Sequence, residues 1–201
     1  LENINYMETF VKTVPFSLSK NLCQDIIETY HGDPFKHDGV CGDGGVHKEV
    51  KKTIDSQINT SERWNRIRTA LGKELNYQLK SYFKEIEQQN ETVWRPAIKN
   101  ISTLHCDTFQ LQRYQKGDGS FTYHSDNDSR MINNNLRTRV VTYLWYLNDV
   151  DEGGETVVFD NIKIKPEAGK LLIFPASWMY PHKGSMPISN DKYIVTGWAC
   201  T

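Results

Sequence analysis

With 24 basic and 25 acidic side chains among 201 residues, the chain carries a net charge of −1, and 38% of it is hydrophobic. That balance excludes a disordered chain and argues against a dedicated nucleic-acid or membrane-surface protein, leaving room only for a local charged patch. No apolar run reaches the length of a membrane span, in keeping with a mean hydropathy of −0.61.

The length fits a single domain whose core needs no covalent staple. Cys23, Cys41, Cys106 and Cys200 lie far apart with no CxxC pair. They read as reduced thiols of a cytoplasmic protein rather than a disulfide framework.

The first hundred residues read as mainly helical. Ser17 and Ser19 offer cap hydroxyls, and Leu22, Ile26, Ile27 and Tyr30 recur at helical spacing before Gly32 and Pro34 end the run. A longer helix is predicted from about Asn59–Glu62. Trp64, Ile67, Leu71, Leu75, Leu79, Phe83 and Ile86 step by three and four along it, the stripe of a helix packed on a sheet.

Between these helices the stretch 39–45 holds four glycines, which makes a loop and a candidate lid. Residues 46–58 are expected to hold a strand or a finger-like hairpin. From about Leu104 the pattern changes to short β-like runs over 109–114, 139–147, 156–159, 162–164, 170–174 and 193–198, broken by Gly/Asp turns. The prediction is a mainly β (α+β) single domain over 1–201. Residues 104–201 form a double-stranded β-helix (jelly roll), and 1–100 supply helical support and the lid.

Two His-x-Asp triplets occur, His105-Cys106-Asp107 and His124-Ser125-Asp126. On extended backbone, residues i and i+2 point the same way, so each triplet aims an imidazole and a carboxylate at one point. That is two-thirds of a facial triad for non-heme Fe(II). His124-Ser125-Asp126 follows a glycine turn, and His182 returns three or four strands later, so these three are the candidate ligands. His105 reads as a hydrogen-bonded residue of an edge or supporting strand. Lys192 opens the last strand and shares a face with Ile194, Thr196 and Trp198. If that face is internal, its ammonium needs an anion, such as a dicarboxylate bound to the metal by its other end; otherwise it is a solvated strand start.

Several ordered blocks resemble the prolyl 4-hydroxylase-like family of Fe(II)/2-oxoglutarate dioxygenases. They are Gln112-Arg113-Tyr114, residues 117–121 before His124-Ser125-Asp126, residues 139–148, residues 152–156, Pro181-His182, and Asp191-Lys192 with Trp198. The resemblance spans roughly residues 104–201. It implies Fe(II) held by His124, Asp126 and His182, with 2-oxoglutarate and O2 as cosubstrates and ascorbate (vitamin C) as the reductant that supports several relatives. Lys192 would bind the distal carboxylate of 2-oxoglutarate, with Tyr114 as a hydroxyl donor and Thr156 in the same pocket. Arg139 and Trp198 would face substrate. Phe121 stands where several relatives have tyrosine, and Cys200 replaces a histidine common in collagen-type enzymes.

The implied reaction hydroxylates an unactivated C–H, foremost a prolyl residue of a peptide or protein, and releases succinate and CO2. The same chemistry on a free amino acid, small metabolite or nucleobase is a second reading, and a jelly-roll binding module with a vestigial metal site is a non-enzyme alternative. Nucleic acid and membrane are not expected partners, and the oligomeric state is left open.

Overall fold

Alternating apolar residues in the C-terminal half build two antiparallel sheets whose inner faces share one apolar layer. The computed structural model describes residues 10–101, 104–106, 108–132 and 134–201. Among these, the larger sheet has eight strands. Its order is β1 (Lys12–Val14), β11 (Leu171–Pro175), β8 (Asn135–Tyr146), β13 (Lys192–Cys200), β5 (Phe109–Tyr114), β4 (Ile54–Ile58) and β2 (His37–Asp38), with β7 (Ser129–Ile132) paired to the start of β8. The smaller sheet runs β10 (Ile162–Ile164), β9 (Thr156–Val158), β12 (His182–Gly184), β6 (Ser120–His124) and β3 (Lys51–Lys52). Between them lie Tyr114, Leu144, Tyr146, Leu172, Phe174 and Ile194 from one side and Val158 and Ile164 from the other. This is the jelly roll expected from the strand pattern.

The other face of the larger sheet is covered by helices. Helix α1 (Lys20–His31) starts where Ser19 Oγ accepts from the Leu22 N–H at 3.2 Å, and it stops at Gly32. Helix α2 (Glu62–Gln89) buries Trp64, Ile67, Leu71, Leu75, Leu79 and Ile86 as the stripe predicts. Gln78 and Tyr82 are buried beside them, while Phe83 is only partly covered. These side chains pack against Val141, Tyr143, Trp145, Ile173 and Val195, the residues of the larger sheet that alternate away from the apolar layer. No helix among the described residues is long and apolar enough to cross a membrane.

Several expectations need correction. Residues 46–58 hold strand, as one of the two expectations had it, and not a hairpin: β3 pairs with β6 in the smaller sheet and β4 with β5 in the larger, so the chain changes sheets at Thr53. Strand β8 starts at Asn135 rather than Arg139, and β7 folds back onto it. Helix α3 (Glu91–Ile98) was not predicted; the Asn90 side chain caps it, and it buries no residue fully. His105 forms only an isolated bridge to Cys200 and no strand, and Asp107 lies outside the described residues.

Candidate metal centre

Three of the predicted ligands meet at one end of the apolar layer. His124 ends β6 and His182 begins β12, and the two are direct partners across the ladder, with ring centroids 4.2 Å apart. Asp126 lies two residues beyond β6 and turns its carboxylate in between them. His182 Nε2 is 3.4 Å from Asp126 Oδ2, and His124 Nε2 is 3.9 Å from Oδ1. One ligand atom from each residue falls within 4.8 Å of the others.

Both imidazoles are tied at Nδ1 by a backbone carbonyl, Thr122 at 2.8 Å and Tyr180 at 3.1 Å, so each presents Nε2 to the shared point. Metal-binding histidines are fixed in this way, because the tie sets both tautomer and ring plane. The carboxylate is held from the opposite sheet, where Thr142 Oγ donates to Asp126 Oδ2 at 2.8 Å.

Electrostatics agree with a cation at this point. Burial and the neighbouring His182 push His124 down to about 4, which keeps its ring neutral and available as a ligand. Burial works to raise Asp126, but the two imidazoles and the Thr142 hydroxyl outweigh it and hold the carboxyl below its usual range. Two imidazoles and an ionised carboxylate, leaving one side open, are the donor set that suits Fe(II). Phe121 stacks on His124 with centroids 3.6 Å apart and planes 15° from parallel.

Against the Tyr114 ring that lines this pocket, Lys192 is 1% exposed, which settles its orientation as internal. Its Nζ donates to the Gly154 carbonyl at 2.9 Å and lies 3.8 Å from the centre of the Tyr114 ring. One carbonyl and one ring do not use three N–H donors, so the ammonium is under-compensated among the described residues. Burial pushes it down to about 7 despite the charge of Glu155. Gly153 and Gly154 have φ of +73° and +76°, the left-handed turn that brings the Gly154 carbonyl to the amine.

Tyr114 and Thr156 line the pocket as expected. However, the Tyr114 hydroxyl donates to Gln112 Oε1 at 3.2 Å, and the Tyr146 hydroxyl donates to Thr156 Oγ at 2.7 Å. Gln112, Leu144 and Ile194 also line the pocket, and Tyr146 reaches it through Thr156; none of the four was given a site role from the sequence. Their signal was the two-residue alternation that groups them with Tyr114, Thr142 and Lys192. The Gln112 amide passes the contact on to Gln110 at 3.2 Å, and Gln110 donates to Asp55 at 2.9 Å. Asp55 is itself paired with buried Lys51 at 2.7 Å.

Arg139 and Trp198 come together at the outer rim, the guanidinium stacked 3.5 Å from the indole centre. Trp198 lines the pocket beside Asp126. His105 is outside this site.

The comparisons agree with the geometry. Residues 109–200 match the family model of the 2OG-Fe(II) oxygenase superfamily. Among curated proteins, "Probable prolyl 4-hydroxylase 10" of Arabidopsis thaliana is 26% identical over 182 residues, which is 76% of this chain and 60% of that protein. "Probable prolyl 4-hydroxylase 9" of the same plant is 26% identical over 123 residues, covering 49% of this chain and 42% of the relative. The chain thus spans about half the length of the curated relatives it matches.

Among solved structures, the viral collagen prolyl hydroxylase of Paramecium Bursaria Chlorella virus-1, in its 2OG complex, aligns over 96% of this chain and 97% of its own, with a TM-score of 0.69 at 18% identity. The Trichoplax adhaerens prolyl hydroxylase, in complex with a hypoxia inducible factor peptide fragment, aligns over 96% and 84% with a TM-score of 0.69 at 17% identity. With the His-Asp-His cluster, the buried lysine and the match over residues 109–200, the chain is similar to the prolyl 4-hydroxylase-like members of the 2OG-Fe(II) oxygenase superfamily.

Proposed function

We propose that the protein is an Fe(II)- and 2-oxoglutarate-dependent dioxygenase that hydroxylates a prolyl residue in a peptide or protein, with release of succinate and CO2. The observation that carries this reading is one pocket lined by the His124–Asp126–His182 cluster, with the under-compensated ammonium of Lys192 buried against its Tyr114 wall. Fe(II) held by the three donors, with 2-oxoglutarate, supplies oxidative C–H chemistry that no amino-acid side chain can.

The chain's own residues do the rest. The Thr122 and Tyr180 carbonyls fix the two rings, and Thr142 fixes the carboxylate. Lys192 charges and anchors the far carboxylate of the cosubstrate, with Thr156 in the same wall. Leu144 and Ile194 keep water from the space between. Arg139 and Trp198 form the rim against which a peptide would lie.

The test is mass spectrometry of proline-containing peptides incubated with protein, Fe(II), 2-oxoglutarate and ascorbate, with succinate measured in parallel. A +16 Da product matched by succinate supports the reading. Succinate formation with no modified peptide, restored by a free amino acid or nucleobase, would move the substrate to the small-molecule class.

A further inference from the structure

Strand β8 changes face part-way along. Thr142 and Trp198 are direct partners and both line the pocket, and Ala199 pairs with Val141. The next β13 residue, Cys200, pairs with Arg139, so β8 carries one extra residue, Val140, against β13. A bulge of this kind reverses the alternation beyond it. Strict alternation from Thr142 would aim Arg139 at the helices. Instead Val140 packs into the helix-facing core, and Arg139 turns onto the pocket side to stack on Trp198.

The reversal carries past Arg139. Arg137 shares its face by alternation, and Arg130 on β7 is the direct partner of Arg137, so all three guanidiniums stand on the pocket side of the β7–β8 hairpin. Asp128, just before β7, is the carboxylate that meets them. It pairs with Arg130 and lies 3.5 Å from Arg139. Arg137 is half-buried, its Nε has no hydrogen-bond partner, and no carboxylate lies within ion-pair distance of it among the described residues. Arg130 also reaches across to the glycine loop, donating to the Gly42 carbonyl at 3.0 Å. The loop's own carboxylates are engaged elsewhere, Asp43 with His47 and Asp38 with Lys48. The mouth of an otherwise neutral chain therefore carries three positive groups against one negative.

We propose that this mouth selects an acidic peptide segment, with a Glu or Asp side chain one or two residues from the target proline seated against Arg137 and Arg130. The inference rests on the prolyl-peptide reading above and names the class of peptide. A half-buried guanidinium without a counter-ion gains most from a carboxylate that docks in its plane. An extended peptide advances about 3.3 Å per residue, and the hairpin adjoins the pocket through Arg139, stacked on the Trp198 that lines it. Asp128 lies among the arginines and the net charge is −1, which disfavours a polyphosphate chain relative to a single carboxylate.

The experiment is fluorescence anisotropy on protein loaded with Mn(II) and 2-oxoglutarate. The probes are labelled nonapeptides with a central proline flanked by Glu, Gln or Lys, and an oligothymidylate of equal length. The Glu peptide is expected to bind about tenfold tighter than the Gln peptide, the Lys peptide weakest, with the spread narrowing as salt rises. Arg130→Gln with Arg137→Gln should erase the preference. Arg137→Glu should invert it toward the Lys peptide, a gain that misfolding does not produce. Equal binding of the three peptides, or tighter binding of the oligonucleotide, would overturn the acidic-peptide assignment while leaving the oxygenase intact. Failure of every peptide to bind would remove the prolyl-peptide reading along with it.

Discussion

The two sheets divide the work unequally. The larger one is backed by α1 and α2, and its strands are apolar toward the helices and mixed toward the pocket. From it come Thr142, Tyr114 and Trp198, which line the pocket, and Lys192, buried against the Tyr114 ring. The smaller sheet is built from strands of five residues or fewer and supplies the two imidazoles and Thr156. Asp126 belongs to the chain leaving the smaller sheet, yet its oxygen is held by the larger. The metal centre is thus a clasp between a helix-backed wall and a thin one, with both imidazoles on the thin side and the carboxylate held from the other.

Removing the clasp is the severest way to break this arrangement. Asp126→Ala should abolish stoichiometric Mn(II) binding, measured by calorimetry, and lower succinate release by roughly a hundredfold or more. Full turnover by this variant would refute the ligand assignment. Next in size, Leu71→Ala on the helix-backed wall should cost about 3 kcal/mol of unfolding free energy, because a fully buried side chain is lost from α2. Metal affinity per folded molecule should stay close to wild type, which denaturant melts combined with Mn(II) titration would show.

Lys192→Met tests the Tyr114 side of the pocket and should raise the 2-oxoglutarate KM by about thirtyfold, a loss of roughly 2 kcal/mol. Its effect on stability has the opposite sign. The amine sits at about 7 against an ordinary 10.5, so the ligand-free folded state resists a proton that the unfolded chain accepts. Ligand-free wild type should therefore gain stability as pH rises from about 7 towards 10.5, and the methionine variant should lose that slope. Affinity for 2-oxoglutarate should weaken over the same interval as the ammonium deprotonates; a flat profile would contradict the assignment.

The smallest effect is expected from the thin wall. Phe121→Leu removes the ring stacked on His124 and should weaken Mn(II) binding by about 1 kcal/mol, fivefold or so in Kd.

The parts legible in the sequence were those with period and length. Helix α2 was readable because seven residues repeat the stripe, and β5 and β10 because their alternating runs match single strands. His124, Asp126 and His182 were readable from spacing, but the side on which Lys192 lies was not. Only burial against Tyr114 decides that. Strands β6, β7 and β12 escaped because they are short and their polar residues leave no apolar alternation to detect. The bulge at Val140 left no mark either: it is a mismatch between two strands far apart in sequence, and one strand alone does not contain it.

Lys51 joins three things at once. Its Nζ donates to the Val40 carbonyl at the root of the glycine loop, pairs with Asp55 at the end of the Tyr114–Gln112–Gln110 chain, and lies 5.3 Å from the centre of the Phe121 ring that stacks on His124. The loop, the Tyr114 side of the pocket and the ring against His124 thus share one keystone outside the His-Asp-His cluster. A lesion there would loosen three functions together, and its kinetics would resemble damage to the catalytic centre itself.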